Sequence, residues 1–243
     1  MARPRPPDRF QQLLDAALRV FAEKGVRRAR MADIAREMGV AAGSLYNWVE
    51  SKEALFHWIV ERGSADGVVE TPARLPIRTP KPALARKRLR QQLEAGFRMP
   101  ALDAALARRR PVDARAELEA VLREHYDRVE RARRPLKVVE RSALDQPELF
   151  DLYFVRLRRD FFERFARYVA RRQRAGHFRA GIDPDVAARF AIESASFFAQ
   201  HRSAHPDPGV GLPEGDAVRE NVVALLVASL VPDVRPRRRR RRA

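Results

Sequence analysis

The N-terminal part of the chain carries an apolar stripe at helical spacing. Apolar residues recur at intervals of three and four positions, which predicts an amphipathic helix over residues 9–24. The stripe consists of Phe10, Leu13, Leu14, Ala17, Leu18 and Phe21. Asp8 precedes the stripe, where it could cap the helix, and Gly25 follows it, at a position typical of a helix end. We therefore predict that the first helix lies between these two residues.

Three shorter helices are predicted to follow at short intervals. Apolar positions at helical spacing place them at about 31–38, 42–49 and 52–63. Gly39 and Val40 interrupt the pattern between the first two, and Ser51 is suited to cap the third. The first 63 residues thus predict four helices joined by tight turns.

The remainder of the chain also has the apolar periodicity of helices. Residues 64–82 lack a clear period and contain several prolines, which predicts a loop. Seven helices are expected after it, at about 83–98, 101–109, 112–133, 136–144, 148–175, 184–202 and 214–231. The prolines near these segments, Pro135 among them, are expected at helix starts. Since no segment alternates in the manner of a strand, the predicted fold class is all-α.

Composition restricts the classes of protein that fit this pattern. The chain has no cysteine, which excludes disulfides and thiolate chemistry, and 45% of its residues are hydrophobic, enough for a packed core. No apolar run approaches the length of a membrane span, and no apolar segment follows the basic N-terminus as in a signal peptide. We therefore expect a cytoplasmic protein that has no membrane partner.

The net charge of +17 points to a polyanionic partner, but the charge is unevenly distributed. The excess of basic residues lies mainly in residues 74–110 and in the C-terminal tail, which contains six consecutive arginines. Residues 111–234 carry no net charge. The tail could be a nonspecific DNA-binding arm, or it could be no more than solvated charge in an arginine-rich chain.

Two short predicted helices joined by a glycine-containing turn, with another helix before them, form the pattern of a helix-turn-helix. In this arrangement the second short helix presents a polar face to the major groove of DNA. Leu45 and Val49 are expected to face the core, which leaves Ser44, Tyr46 and Asn47 free to contact DNA. A generic three-helix domain would show a similar periodicity, so the pattern alone leaves both interpretations open.

Five linked motifs make the N-terminal region similar to a known family. They are Phe21-Ala22-Glu23-Lys24-Gly25, Met31-Ala32-Asp33-Ile34-Ala35, Gly39-Val40, Gly43-Ser44-Leu45-Tyr46 and Ser51-Lys52-Glu53-Ala54-Leu55. In their order and spacing they resemble the DNA-binding domain of the tetracycline-repressor (TetR) family of transcriptional regulators, over about residues 9–63. Residues 176–190 also resemble the segment that leads into the penultimate long helix of the family.

The resemblance implies which residues contact DNA. Within and just after the third helix these are Ala42, Gly43, Ser44, Tyr46, Asn47 and Lys52. Tyr46 and Lys52 would each bind a phosphate. Asn47 could form two hydrogen bonds with adenine, one through the oxygen and one through the nitrogen of its side-chain amide. The absence of a side chain at Gly43 would let this helix approach the DNA backbone closely.

The sequence departs from the family pattern at two places. Ala29 and Arg30 stand where hydroxyl residues are common, so Arg28 and Arg30 are predicted to take over the phosphate contacts, although this arginine-rich loop could instead be merely solvated. Ala41 replaces a capping Ser or Thr, which should weaken the third helix by about 0.5–2 kcal/mol.

The resemblance further implies a dimer and an effector cavity. The helices near 184–202 and 214–231 would form the dimer, and the central helices would surround the cavity. The predicted lining residues are Phe97, Leu102, Leu122, Tyr126, Tyr153, Phe154 and Phe197. Helix 148–175 has more apolar positions than one stripe requires, which favours a second packing surface, but any of these residues could also belong to an ordinary core.

The predicted organisation therefore has five segments. They are a flexible basic N-terminus (1–8), a helix-turn-helix DNA-binding domain with its connecting helix (9–63), a proline-rich loop (64–82), a helical effector-binding and dimerisation domain (83–231) and a disordered arginine-rich tail (232–243). The expected function is that of a homodimeric transcriptional repressor, which a small apolar or amphipathic effector releases from a palindromic operator on double-stranded DNA.

Two other classes of function stay open at the level of sequence. One is a nonspecific DNA-coating protein that uses the basic segments, and the other is an enzyme or carrier with a helical ligand-binding body. No catalytic residue pattern or phosphate-binding glycine loop is evident, so we expect no enzyme and no cofactor. His201 and His205 have metal-ligand spacing, but no carboxylate accompanies them and no metal site is expected.

Overall fold

A computed structural model describes residues 7–62, 72–201 and 216–232 of the chain. Eleven α-helices are present in these ranges: α1 (Pro7–Arg28), α2 (Met31–Met38), α3 (Ala42–Leu45), α4 (Lys52–Arg62), α5 (Pro82–Gly96), α6 (Pro100–Ala107), α7 (Ala114–Ala143), α8 (Pro147–Phe150), α9 (Arg159–Arg174), α10 (Pro184–His201) and α11 (Ala217–Leu230). A π-helix, π1 (Asp151–Arg158), joins α8 to α9. No strand forms within the described ranges, so the prediction of an all-α fold is confirmed.

Several predictions concern residues outside the described ranges. These are the basic N-terminus up to residue 6, the part of the proline-rich loop at 63–71, the segment 202–215 with His205, and the tail from residue 233. Among the described helices, none is both long and apolar enough to span a membrane.

The helices form two compact units. Unit 1 contains the described residues of 1–98 and 127–161, and unit 2 contains those of 99–126 and 162–243. The helix-turn-helix region therefore shares its unit with α5, with the second part of α7 and with α8. The five-segment division of the sequence stays a prediction.

The core of unit 1 is formed by the predicted stripe of α1. Phe10, Leu13 and Phe21 are fully buried, and α1 packs against α2 and α4. The ring of Phe10 lies 6.0 Å from that of Trp48 and 6.0 Å, edge to face, from that of Trp58. Burial of an aromatic side chain contributes about 1.5–3 kcal/mol, so this stripe fixes the packing of the first four helices.

The prediction that helices end before Pro135 is wrong, because α7 runs without interruption from Ala114 to Ala143. A proline inside a helix removes one backbone hydrogen bond and costs about 3 kcal/mol. After Pro135, however, α7 buries Val138, Val139 and Ala143 in the core of unit 1. We infer that this burial offsets the cost of the proline, a compensation that local sequence cannot reveal.

The single helix predicted for residues 148–175 is present as the continuous series α8, π1 and α9. The π-helix has a wider turn than an α-helix, which brings residues five positions apart close together. Asp151 and Arg156 have this separation, and the Arg156 Nε lies 2.7 Å from the Asp151 Oδ2. The ion pair therefore matches the geometry of the π-helix.

Unit 2 is held together around a buried arginine. Arg172 of α9 is fully buried, and its guanidinium donates hydrogen bonds of 2.7 and 3.0 Å to the two carboxylate oxygens of Glu117. The same group donates a 2.7 Å bond to the carbonyl of Ala105, near the end of α6, and lies 5.3 Å from the ring centre of Tyr168. One side chain therefore links α6, α7 and α9.

Candidate nucleic-acid interface

A left-handed glycine forms the turn of the helix-turn-helix. Gly39 ends α2 with φ 70° and ψ 35°, a conformation that only glycine adopts without cost. The Val40 amide donates a 2.9 Å bond to the carbonyl of Ala35, which closes the helix end. Ile34 of α2 and Leu45 of α3 are buried, so α3 is held against α2 by its apolar side.

The opposite side of the α3 region is polar and exposed. Tyr46 exposes 51% of its surface, and Asn47 and Gly43 are also exposed. A Cβ atom built on Gly43 meets no described atom within 4 Å, so open space lies in front of this backbone. The structure thus presents three of the predicted DNA-contacting residues together on an accessible surface.

The third helix is shorter than predicted. It ends at Leu45 instead of Val49, and the chain continues in turns in which the amides of Trp48 and Val49 both bond to the Leu45 carbonyl. No side chain caps the start of α3, as the alanine at position 41 predicts. The Ser44 hydroxyl instead donates a 2.7 Å bond to the Ala41 carbonyl and keeps its lone pairs for an outside donor.

Lys52 has a structural role that the sequence did not reveal. Its ammonium donates hydrogen bonds of 2.9 and 2.8 Å to the carbonyls of Arg27 and Ala29, at the end of α1. An ammonium has three N–H groups, so one remains for a phosphate. Lys52 therefore connects the start of α4 to the end of α1.

Two of the basic residues before α2 are bound within unit 1. The guanidinium of Arg28 lies 2.6 Å from the carboxylate of Asp145, and Arg27 donates a 3.1 Å bond to the carbonyl of Asp145. Arg30 is exposed, and its amide donates to the Asp33 carboxylate at 3.0 Å. A DNA phosphate would have to compete for Arg28, while Arg30 lies at the surface.

The C-terminal end of α7 contacts the end of α1, which sequence reasoning missed. The Ser142 hydroxyl accepts a 3.1 Å bond from the Val26 amide, and Arg141 donates a 2.9 Å bond to the Glu23 carbonyl. Ser142 is fully buried and follows the apolar positions 138 and 139 at helical spacing. A hydroxyl on an otherwise apolar stripe was the signal that could have indicated this contact.

Gly25 makes this contact possible. Its φ of 74° and ψ of 155° are non-helical and end the first helical stretch of α1, as predicted, and a second short stretch continues to Arg28. The helix begins at Pro7, ahead of its predicted cap Asp8. A Cβ atom at position 25 would lie 3.3 Å from both the Arg141 carbonyl oxygen and a carboxylate oxygen of Asp145. Both the conformation and the close approach therefore require glycine.

Asp33 fixes the start of α2 electrostatically. The ammonium of Lys24 lies 3.0 Å from its carboxylate, and together with the hydrogen bond from the Arg30 amide it lowers the pKa of Asp33. A group whose pKa is lower in the folded state stabilises the fold above its unfolded pKa of about 3.9, and loses that contribution as the pH falls through the folded pKa. The start of α2 is thus sensitive to acid.

We predict that Asp33→Asn destabilises the protein at about neutral pH and that this difference shrinks as the solution becomes acidic, below about pH 4. The reason is that protonation removes from the wild type the same charge that the substitution removes. Urea unfolding of both proteins over a series of pH values measures the difference. A loss of stability that stays constant down to the acid limit would contradict the assigned role of the carboxylate.

Three residues predicted to line an effector cavity meet in unit 1. The Phe97 ring lies 5.6 Å from that of Tyr153, which lies 4.8 Å from that of Phe154, both edge to face. The Tyr153 hydroxyl donates a 2.9 Å bond to Glu140, and burial raises the pKa of this phenol. The group therefore stays a neutral donor, and these three side chains form a packed aromatic cluster.

The other four predicted lining residues belong to unit 2 and do not share one environment. Leu102, Leu122 and Tyr126 are completely buried, as core residues are. Phe197 is 53% exposed and stacks on His201 with ring centres 4.6 Å apart. Phe197 therefore lies on an outer face of α10, and its place in a cavity stays a prediction.

An apolar surface lies on the two helices predicted to form the dimer. Val186, Phe190 and Phe197 of α10 and Leu225 of α11 each expose between 53% and 72% of their surface. We call these four residues the α10/α11 face. The two helices pack against each other, and the side chains beneath this face, such as Ala191 and Val223, are buried.

Comparison with known proteins agrees with this geometry. Residues 13–59 match the family model described as bacterial regulatory proteins of the tetR family. The chain is 26% identical over 189 residues to the HTH-type transcriptional repressor KstR2 of Rhodococcus jostii, a match that covers 77% of this chain and 76% of the relative.

Two solved structures share the fold. The ketosteroid transcriptional regulator KstR2 of Mycobacterium tuberculosis superposes with a TM-score of 0.55 at 17% identity, over 92% of this chain and 95% of that one. A tetR-family regulatory protein from Rhodococcus RHA1 gives 0.51 at 18% identity, over 90% and 94%. At these identities the likeness establishes the fold alone.

The fold and the exposed α3 region define the class of protein as a regulator that binds DNA through a helix-turn-helix. The family match spans this motif and the helices on either side of it. Residues 13–59 of the chain match the tetR family of bacterial regulatory proteins, and the helices beyond them share the fold of solved regulators of that family.

Proposed function

We propose that the protein is a homodimeric repressor that binds a palindromic operator and is released by a small-molecule effector. The observation that carries the proposal is the exposed group of Gly43, Tyr46 and Asn47 beside a buried, well-anchored helix pair. The relative KstR2 is a transcriptional repressor, which supports repression as the effect of this protein on transcription.

The α10/α11 face supports the dimer. Apolar patches of this kind on a protein surface usually mark an interface, because their contact with water is unfavourable. In a two-fold dimer the same face of each copy would meet its counterpart. Two α3 regions would then enter successive major grooves, about 34–36 Å apart, as the spacing of a palindromic operator requires.

The two DNA-contacting side chains should have separable roles. A phosphate contact contributes to the affinity for every sequence, whereas a base contact contributes to the affinity for some sequences only. Tyr46 carries a hydroxyl suited to a phosphate, and Asn47 carries an amide that can pair with adenine. Their neighbouring exposed positions allow both to reach the same groove.

We predict that Tyr46→Phe lowers the affinity for operator and random duplexes by a similar factor, whereas Asn47→Ala lowers mainly the preference for the operator, by about 1–3 kcal/mol. An operator is first selected from a random duplex library with the wild-type protein. Fluorescence anisotropy at several salt concentrations then measures both duplexes with both variants.

Gln92→Ala is the control for these substitutions, because Gln92 is an exposed amide on α5 outside the helix-turn-helix. It should leave both affinities unchanged. If Tyr46→Phe and Asn47→Ala behave like this control, α3 is not the recognition helix. If the wild type does not discriminate between operator and random duplexes, the protein coats DNA without specificity and the proposed function fails.

Release by an effector requires that the ligand bind one conformation better than another. The end of α1 and the start of α4 are the natural places for such a change, because Lys52 and Arg27 connect them to each other and to the turn after α7. A ligand that alters these contacts would shift α3 relative to the DNA. This is the mechanism that we propose for operator release.

A further inference from the structure

A cleft of about 740 Å³ opens in unit 1 between the end of α1, α4, α5 and the segment α8–π1. None of the seven residues predicted to line an effector cavity borders it. Its volume is within the range of about 300–1,000 Å³ typical of small-molecule sites. The cleft therefore has room for a ligand outside the predicted effector cavity.

The floor of the cleft is apolar. Val26, Phe56 and Leu149 are buried side chains that border it, and the half-buried Leu89 and Leu152 extend the same surface. An apolar body placed here would remove this surface from water, at about 25 cal/mol per Å². The floor thus selects for a ligand with a hydrophobic part.

Most charged groups of the cleft already have partners. Arg156 pairs with Asp151, while Arg27 and Lys52 donate to backbone carbonyls. Asp145, which also borders the cleft, pairs with basic side chains of α1 and α7. The imidazole of His57 adds no charge near neutral pH, because burial lowers its pKa.

Two acidic and two basic residues of the cleft have neither an ion-pair partner nor a side-chain hydrogen bond among the described residues. Glu53 and Glu148 are each the second residue of a helical segment, where the positive end of the helix dipole compensates a carboxylate. Arg86 and Arg90 lie in the middle of α5, one turn apart on the same side, and have no such compensation. The basic groups of the cleft that no described residue engages are therefore this pair of guanidinium groups.

We infer that the cleft binds a small amphipathic anion, with its apolar body on the floor and its carboxylate, sulfonate or phosphate held by Arg86 and Arg90. Guanidinium groups bind such anions through paired, charge-assisted hydrogen bonds. Both features contribute, since the floor binds the apolar body and the two arginines bind the anionic group.

The site lies where a ligand would influence the DNA-binding helices. Arg27 and Lys52 border the cleft and are the residues that connect the end of α1 with α4 and with the turn after α7. A bound anion would attract both cations and compete with the carbonyls that now hold them. This last step, and only this step, rests on the proposed function.

The experiment measures fluorescence of anilinonaphthalene sulfonate, an apolar anion, during titration into the full-length protein. The test variant is Arg86→Gln/Arg90→Gln, and the matched control is Lys81→Gln/Lys87→Gln, which removes two exposed charges from the same part of the chain but outside the cleft. We expect the Kd of the test variant to rise about tenfold or more, equivalent to about 1.4 kcal/mol, and that of the control to stay near the wild-type value.

A second variant and a pair of competitors locate the site. Leu89→Trp keeps both arginines but fills the cleft, so it should also weaken binding of the dye. Weaker binding in this variant would show that the dye is bound in the cleft and not on the α10/α11 face. Phenylbutyrate should displace the dye, whereas its uncharged amide should not. Thermal unfolding of each variant confirms that it is folded.

Equal affinities in all variants, or displacement by acid and amide alike, would overturn the anion site. Operator binding is measured separately, with and without phenylbutyrate. If phenylbutyrate releases the wild type from the operator but does not release Arg86→Gln/Arg90→Gln, the result supports regulation through the cleft. If the dye binds as expected but phenylbutyrate does not release the protein from the operator, the regulatory step is overturned and the anion site is retained. If the wild type binds no operator, only the proposed function is overturned.

Discussion

Replacement of Arg172 by methionine is expected to lower the free energy of unfolding by about 3–5 kcal/mol. The side chain is fully buried, and Glu117 is only 8% exposed, so the substitution leaves a carboxylate in the interior without its counter-charge. It also removes the donor to the Ala105 carbonyl. Urea unfolding at a fixed protein concentration measures the loss.

Arg167→Met is the control for this prediction. Arg167 lies on the same helix, α9, but is exposed, so its replacement should change stability by less than about 0.5 kcal/mol. Combining Arg172→Met with Glu117→Leu should recover part of the loss, because no buried charge remains. Equal effects of the two arginine substitutions would show that the buried pair does not stabilise unit 2.

The second large effect is expected at the α10/α11 face. Aspartate at both Phe190 and Leu225 would place four carboxylates in a two-fold interface, and we expect the protein to become monomeric. Since two half-sites are then no longer bound together, the affinity for the operator should fall by about 100-fold or more. Analytical ultracentrifugation and anisotropy with the selected operator measure the two effects.

Val112→Asp provides the comparison for the interface variants. Val112 is a fully exposed apolar residue of unit 2 that lies outside α10 and α11, so aspartate there adds charge without touching the face. It should leave the oligomeric state and the affinity unchanged. A dimer that persists with both Phe190→Asp and Leu225→Asp would place the interface elsewhere on the chain.

The parts of the fold that depend on local pattern were predictable from the sequence. The stripe that begins at Phe10, the glycine turn at Gly39 and the uncapped start of α3 all depend on residues within a few positions of one another. Helical periodicity and turn chemistry describe such features directly. The five linked motifs added the order of the helices in the DNA-binding region.

The errors arose where a distant part of the chain decides the outcome. Continuation of α7 past Pro135 depends on a core that residues far from it complete. The ion pair of Arg28 was not predicted either, because its partner Asp145 lies 117 positions later in the chain. Sequence spacing carries no information about contacts of that length.

Phe197 illustrates a different limit. Periodicity shows that α10 has apolar residues on more than one side, but it does not show which side faces the interior. The sequence therefore allowed a core, a cavity or an interface, and the structure adds that Phe197 is exposed on α10. The cleft beside α5 was missed for a related reason, since its walls come from four separate segments.

The close approach of Gly25 to the end of α7 has a consequence for engineering. A chimaera that takes its first 62 residues from another regulator would inherit a foreign surface opposite Ser142 and Asp145, which are partners of Val26 and Arg28. Transplanted recognition helices should therefore function only when the few residues around position 142 are exchanged with them. The unit that has to be transferred together therefore consists of two separate segments of the sequence.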